Sequence, residues 1–452
     1  MKKFQRISLL ALLLALCLVL GSCSGLFSPE DTTSPITLAP STGEGPLSDA
    51  ELSALLGLVN LDKVSAVQSC YSLYYVGEYR SVADCDAEIR ETIRSLDGVR
   101  TVVDTEGATR LYIDLYARMQ GDYYGYYYSP DDFSDYGDDI NGEYTGIGVS
   151  VTLTEDGYAE ILNVFPSSPA EEAGILPGDR IVAVEGQDFA AIGYQNAVDA
   201  IRGIEGTSVT VTVERAGQRQ DFSVVRRRVT EVTVEHRMLE GKIGYIRIVS
   251  FNQSTYQQFV SAHRELRAAG AEAYVFDVRY NPGGTLDSVV AILEYVLPSG
   301  PIVHLNYKSR RQTIESIYDV SPGYMADKTY YRDHEIDEPM VVLSNGGTAS
   351  AGELFTSSLK DYGVASVIGE QTYGKGVGQS SIELGRDGSA LVMTTFFYDP
   401  PTSQNYNGVG ITPDHTVPLS EEAAGKNLYK LTYAEDTQLQ AAVSALSPAG
   451  VQ

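Results

Sequence analysis

The stretch Val341-Val342-Leu343-Ser344-Asn345-Gly346-Gly347-Thr348-Ala349-Ser350-Ala351-Gly352-Glu353-Leu354 constrains the fold more than any other part of the 452-residue chain. Three apolar residues in a row suit a short buried strand. Gly346 and Gly347 allow a sharp turn. From Ala351 to Tyr362 the residues are helix formers, with Leu354, Phe355, Leu359 and Tyr362 near one face, and Gly363 is a stop signal. Ser350 thus sits where a strand hands over to a helix. Helix N-termini carry unpaired N–H groups and a positive dipole end, so a negative oxygen formed beside Ser350 would be stabilised.

A nucleophilic serine needs a base. The next Gly-rich stretch runs from Gly369 to Gln379 and follows a second apolar run, Val364 to Ile368. Lys375 stands there between Gly374 and Gly376, so backbone can approach closely and enclose the amine. A desolvated lysine loses its charge more easily and can then take a proton from a serine hydroxyl. The five histidines, at 236, 263, 304, 334 and 415, lie outside both stretches. A Ser-Lys pair is therefore better supported than a Ser-His-Asp triad.

Thr348-Ala349-Ser350-Ala351-Gly352-Glu353, with Gly374-Lys375-Gly376 following, resembles the carboxyl-terminal processing peptidases, or tail-specific proteases. The resemblance implies a Ser-Lys serine endopeptidase whose lysine is held by a glutamine four positions on, which is Gln379 here. Gly352 replaces a serine often seen at its place.

A second anion site is suggested by Asp277-Val278-Arg279-Tyr280-Asn281-Pro282-Gly283-Gly284. A near-continuous apolar strand runs into it, and Leu286, Val289, Val290 and Leu293 follow at helical spacing. Backbone N–H groups at such a helix start could hold the oxyanion of a tetrahedral intermediate. The segment resembles the family's Asp-Leu-Arg-x-Asn-Pro-Gly-Gly, which implies an oxyanion hole of Gly283 or Gly284 together with Ala351. Asp277 and Arg279 read as framework residues. Gly408-Val409-Gly410-Ile411-Thr412-Pro413-Asp414 resembles the family's Gly-Ile-x-Pro-Asp turn, with His415 a surface residue beside it.

Between residues 144 and 229 the patterning is that of a small β-rich domain. Gly146-Ile147-Gly148-Val149 opens an alternating strand. Ser168-Pro169-Ala170 begins a short capped helix, and Leu176-Pro177-Gly178-Asp179 turns into a further strand. Ala197, Ala200 and Ile201 line a second helix, and Val209, Val211 and Val213 alternate. This resembles a PDZ domain. The likeness implies peptide capture at Gly146 to Val149, where an edge strand and free N–H groups receive a C-terminus. A rigid spacer with an unused groove is the bland alternative. The resemblance also places a basic residue, Arg202, near the domain boundary, where it would link peptide capture to the active site.

At the amino end, Lys2, Lys3 and Arg6 precede an apolar run from Ile7 to Leu20, the pattern of a signal peptide. Leu20-Gly21-Ser22-Cys23 resembles a bacterial lipobox, which implies lipidation at Cys23 and an extracytoplasmic, membrane-anchored protein. Residues 23–47 read as a flexible tether rich in Ser, Thr, Pro and Gly. A helical region is expected over 48–143, opened by the capping box Ser48-Asp49-Ala50-Glu51. Cys70 and Cys85 lie in it, and either a disulfide or two thiols fits the spacing. Gly121 to Gly142 is dense in Tyr and Asp. It reads as a surface loop whose aromatics pack on the neighbouring domain, with a ligand patch as the alternative.

The expected organisation is thus an α/β multidomain chain: signal peptide (1–22), tether, helical region, PDZ domain, protease core (230–420) and a C-terminal helical segment (421–452). Sixty acidic against 33 basic residues leave a formal net charge of −27, which argues against binding nucleic acid through phosphates. No metal cluster, Walker loop or dinucleotide fingerprint stands out, and no cofactor is expected. The partners expected are substrate C-termini, with a homo-oligomer or an activating partner in addition. A peptide-binding adaptor that kept the fold and lost turnover is the rival function. Against it, Ser350, Lys375, Gln379 and both anion turns occur together.

Overall fold

The structure, a computed structural model, describes residues 45–447 except 97–98, 103, 155 and 316–334. The expected signal peptide, Cys23 and most of the tether lie outside these residues. The fold is mixed α/β and is built around a six-stranded sheet. Its strand order is Val234–Leu239, Ile243–Ile248, Ala273–Asp277, Met340–Ser344, Ala365–Gly369 and His415–Thr416. The first pair is antiparallel and the others are parallel.

Parallel strands covered on both faces read as unbroken apolar runs, as Val341-Val342-Leu343 does. One face is covered by the helices Thr255–Ala268, Leu286–Val296 and Ala351–Asp361, whose apolar sides share a core with Ile246, Phe276 and Val342. The other face is covered by Thr437–Leu446, through Leu439 and Ala442. Arg279 fastens that last helix. It is buried, forms a fork with Asp277 at 2.6 Å, and reaches Asp436 Oδ1 and Oδ2 at 2.8 Å each and Gln438 Oε1 at 3.0 Å. Asp277 and Arg279 are framework groups, as expected from the sequence.

Ahead of the sheet, helices Asp49–Leu56, Leu61–Tyr74, Val82–Ser95 and Thr105–Met119 form a separate core. The Ser48–Glu51 capping box closes the first of them. Cys70 and Cys85 are free thiols. The Tyr/Asp-rich stretch is not a loop. Tyr126–Tyr128 is a strand that pairs with Ala390 to Val392 of a second sheet, and Pro130–Asn141 is a helix. Aromatic residues favour a pleated surface, and Pro130 with Asp131 and Asp132 suits a helix start.

The β-rich domain orders its strands as Val149–Leu153, Ala159–Val164, Arg180–Val184, Ser208–Arg215 and Gln218–Val225, around a core of its own. Gly146 to Val149 is not one strand. Gly146 ends the strand Glu143–Gly146, paired with Arg227, and Gly148 at φ +80 breaks the run. Val149 then opens a strand at the sheet edge.

Asp436 both balances buried Arg279 and caps the last helix by accepting from Leu439 N at 2.9 Å. Asp436→Ala is expected to cost about 3–5 kcal/mol, the scale for breaking one partner of a buried ion pair. Thermal and denaturant unfolding of the purified protein measure this.

Candidate active site

Ser350 lies at the carboxyl end of the parallel strand Met340–Ser344, in the turn before the helix Ala351–Asp361. Its backbone takes φ 53 and ψ −119, a conformation costly for a residue with a side chain. The surrounding turn enforces it. Asn345 Oδ1 accepts from Tyr280 N at 2.9 Å and Gly347 N at 3.1 Å, and Thr348 Oγ1 donates to Val278 O at 2.7 Å. Ala349 N donates to Asn281 O at 2.8 Å. The two Gly-containing turns, at the ends of neighbouring parallel strands, are thus bonded to each other.

Gly283 packs directly against the serine. A Cβ there would stand 2.6 Å from Ser350 Cβ and 2.9 Å from Ala351 N, so no side chain fits. Its N–H already donates to Asn281 Oδ1 at 2.8 Å, and its carbonyl accepts from Phe251 N at 2.8 Å. Gly284 is pressed against the Phe251 backbone. Among the described residues, neither Gly284 N–H nor Ala351 N–H donates a hydrogen bond.

Lys375 is 1% exposed. Burial pushes its amine down to about 7, against the pull of Asp122 and Glu353. The Nζ atom lies 4.3 Å from the centre of the Tyr124 ring. The turn at 408–411 presses on the lysine loop: Gly408 N donates to Gly374 O at 2.8 Å, and Ile411 N to Thr372 Oγ1 at 2.7 Å. The Tyr398 hydroxyl donates to Lys375 O and faces the Ser350 side chain.

Ser350 and Lys375 are brought together by Glu353, a fully buried residue quoted in the sequence motif but given no role there. Its Oε2 accepts from Ser350 N at 3.0 Å and Lys375 N at 2.7 Å. Its Oε1 accepts from Gly374 N at 2.6 Å and Thr372 Oγ1 at 2.5 Å. Four donors on one carboxylate favour the anion, although burial still pushes its pKa up. The Ser-x-x-Glu spacing of 350–353 is that of a capping box, the signal that could have found it.

Gln379 bonds elsewhere. Its Nε2 donates to Thr394 Oγ1 at 3.1 Å. Of the peptide-site residues, Ile147 is buried in the β-rich domain's core and its carbonyl accepts from Ala170 N at 2.8 Å. Gly148 O accepts from Phe165 N at 2.9 Å. Only Val149 stands on the edge strand. Arg202 caps the helix Tyr194–Ile201 and lies 5.0 Å from the Tyr144 ring. Residues passed over by sequence reasoning are Asp122, Tyr124, Thr372 and Tyr398. Asp122, Tyr124 and Thr372 lie in stretches that the sequence marks only by composition, and their partners are far away in the chain.

The model of peptidase family S41 matches residues 242–417, and that of the PDZ domain matches 160–215. The chain is 34% identical over 306 residues to a carboxy-terminal-processing protease of Bartonella bacilliformis, covering 66% of this chain and 67% of that one. It is 33% identical over 315 residues to a carboxyl-terminal-processing protease of Synechocystis, covering 68% and 69%. A solved photosystem II D1 C-terminal processing protease is similar at 23% identity and a TM-score of 0.45, over 82% of this chain and 94% of that one. The relatives decide the matter: this chain belongs to the carboxyl-terminal processing peptidases of family S41. It is a serine-type endopeptidase carrying a PDZ domain.

Glu353→Gln turns an acceptor of four bonds into a group that must present an N–H to some of the same donors. The variant should lose at least about a hundredfold in kcat/KM, since both halves of the site lose their common anchor. Steady-state cleavage of unfolded casein, with circular dichroism to confirm folding, measures it.

Proposed function

We propose that Ser350 is the nucleophile and Lys375, as the neutral amine, its general base, in a peptidase that cleaves near the free C-terminal end of protein substrates. The observation that carries this reading is the enclosure of Lys375, with its amine near neutrality, beside a strained serine to which Glu353 binds it. The PDZ domain would receive the substrate's end on the Val149–Leu153 edge, and Arg202, at the boundary with Tyr144, would couple that capture to the site. The relatives' names point to the same end of the substrate.

In the first step the Ser350 Oγ–H bond breaks, its proton passes to Lys375 Nζ, and Oγ bonds to the scissile carbonyl carbon. The carbonyl oxygen becomes an oxyanion. Gly284 N–H and Ala351 N–H are the donors proposed for it, because Gly283 N–H is held by Asn281. Each such donor contributes about 3 kcal/mol of barrier lowering. The lysine ammonium then gives its proton to the leaving amine as the C–N bond breaks. Water then gives a proton to the regenerated amine and bonds to the acyl carbon, the carbon–Oγ bond breaks, and the lysine returns the proton to Ser350 Oγ. Gln379, held by Thr394, would support the lysine's surroundings without a bond to the amine itself.

The proposed place of action is the outer side of a bacterial membrane, with Cys23 as the lipid-bearing first residue. Cys23→Ser is expected to move the protein from the membrane to the soluble fraction or leave its precursor unprocessed. Fractionation and N-terminal mass analysis check this, and a wild type found soluble without lipid contradicts it.

Only the neutral amine accepts a proton. With Lys375 held at about 7, cleavage should be slow below pH 7, rise through it and level off above. Ser350→Ala should be inactive. Lys375→Arg should lose at least about a hundredfold although charge is kept, because guanidinium does not deprotonate. Casein cleavage across pH measures all three. Wild-type cleavage no faster than that of Ser350→Ala would favour the adaptor.

A further inference from the structure

The N-terminal helical region reaches the active site at one buried charge. Asp122 follows the helix Thr105–Met119, donates its N–H to Ala117 O at 3.0 Å, and is 2% exposed. Its Oδ1 accepts from Thr394 Oγ1 at 2.7 Å and from Tyr124 N at 3.3 Å. Its Oδ2 accepts from Thr394 N and from the Tyr71 hydroxyl, each at 3.0 Å. The two N–H groups can only donate and the two hydroxyls donate as well, which favours the carboxylate, although burial pushes the Asp122 pKa up.

Two links run from this carboxylate toward the active site, one to Gln379 and one to the ring beside the lysine. Because the Thr394 hydroxyl gives its proton to Asp122, it can only accept from Gln379 Nε2, at 3.1 Å. That fixes which end of the Gln379 amide faces Thr394. Two residues along from Asp122, the Tyr124 ring lies 4.3 Å from Lys375 Nζ. The turn between is closely packed: a Cβ on Gly125 would meet the Tyr71 hydroxyl at 2.3 Å and Asp122 Oδ2 at 2.8 Å.

We propose that Asp122 is a positioning residue of the Ser350–Lys375 pair, holding Gln379 through Thr394 and compensating the ammonium that forms on Lys375. This rests on the catalytic reading of Ser350 and Lys375. When the Ser350 proton moves to Nζ, a cation appears in a site sealed from water, where an uncompensated charge is costly. In this step the proton stays on Nζ and does not pass to Asp122. Asp122 acts on the lysine by charge, unlike a triad aspartate, which also hydrogen-bonds its histidine. The charge comes from outside the S41-matched segment, so the helical region is part of the catalytic apparatus.

The groups facing the lysine can be told apart. Glu353 is the other carboxylate that acts on it, and it is tied to backbone N–H groups of both loops. Tyr124 and Tyr398 are held well above the ordinary tyrosine range by burial and stay neutral. Around Asp122 itself stand Tyr71 and Tyr75, likewise raised by burial. Asp122 is therefore the one charge near the lysine that the N-terminal region brings, among the described residues.

Asp122→Asn keeps the shape and removes the charge. Casein cleavage by the full chain, with Ser350→Ala as blank, should show kcat lowered at least about tenfold and KM within about twofold. Losing the carboxylate lets the lysine pKa fall further, so the acid limb of the pH–rate profile should move down by about one unit. A folded Asp122→Asn enzyme whose acid limb stays in place overturns the proposal, whatever its rate. Should that variant not fold, Thr394→Val serves, since it keeps volume and removes the linking hydroxyl. A severalfold loss in kcat at unchanged KM supports the proposal, and wild-type kcat in Thr394→Val overturns it. Cleavage by the wild type no faster than by Ser350→Ala is a different failure, which removes the catalytic reading and this proposal with it.

Discussion

The site depends on keeping a lysine away from water. An amine enclosed by protein on all sides is driven toward its neutral form, and only that form can serve as a base near pH 7. Enclosure is built by several separate segments. Gly374 and Gly376 let the 408–411 turn and Asn405 approach, and a Cβ at either glycine would collide with them. The Tyr124 ring closes the remaining side. Glu353 holds the lysine loop and the serine turn as one body through backbone N–H groups, so neither can shift alone.

The sheet explains why these pieces meet. Parallel strands place all their carboxyl ends at one edge, so the turns after Asp277, Ser344 and Gly369 lie side by side. The first offers Gly283 and Gly284, the second Ser350, the third Lys375. Two of the six non-glycine residues with positive φ among the described residues, Tyr280 and Ser350, lie in these turns. The cost of that conformation is offset by the buried framework beneath, including Arg279 and the helix it fastens. The second sheet, through Thr394 and Tyr398, and the helical region, through Asp122 and Tyr124, close the site from outside.

Local chemistry was legible in the amino-acid sequence, and distant pairing was not. Ser350 and Lys375 stood out because glycine placement and apolar runs announce strand, turn and helix within a dozen residues. Asp277 and Arg279 were readable as framework for the same reason. The run from Gly121 to Gly142 has the composition of a loop but folds as a strand and a helix. Its Gly, Asp and Pro are turn signals, while its partner, Ala390 to Val392, lies more than 250 positions away. Gly146 to Val149 has the alternation of one strand, and alternation does not reveal that Gly148 turns the chain. Asp122 is one acid among many in the 121–142 stretch, and its meaning comes from Thr394, 272 residues on.

Direct titration of Lys375 tests the account most closely. Lysine labelled with carbon-13 at the ε position, with Lys375→Arg used to assign the resonance, reports the protonation of this one amine without any substrate. The account predicts a resonance titrating near pH 7, well below the ordinary lysine value of 10.5, with the enzyme folded throughout. A Lys375 resonance that titrates with the surface lysines, above pH 10, would contradict it.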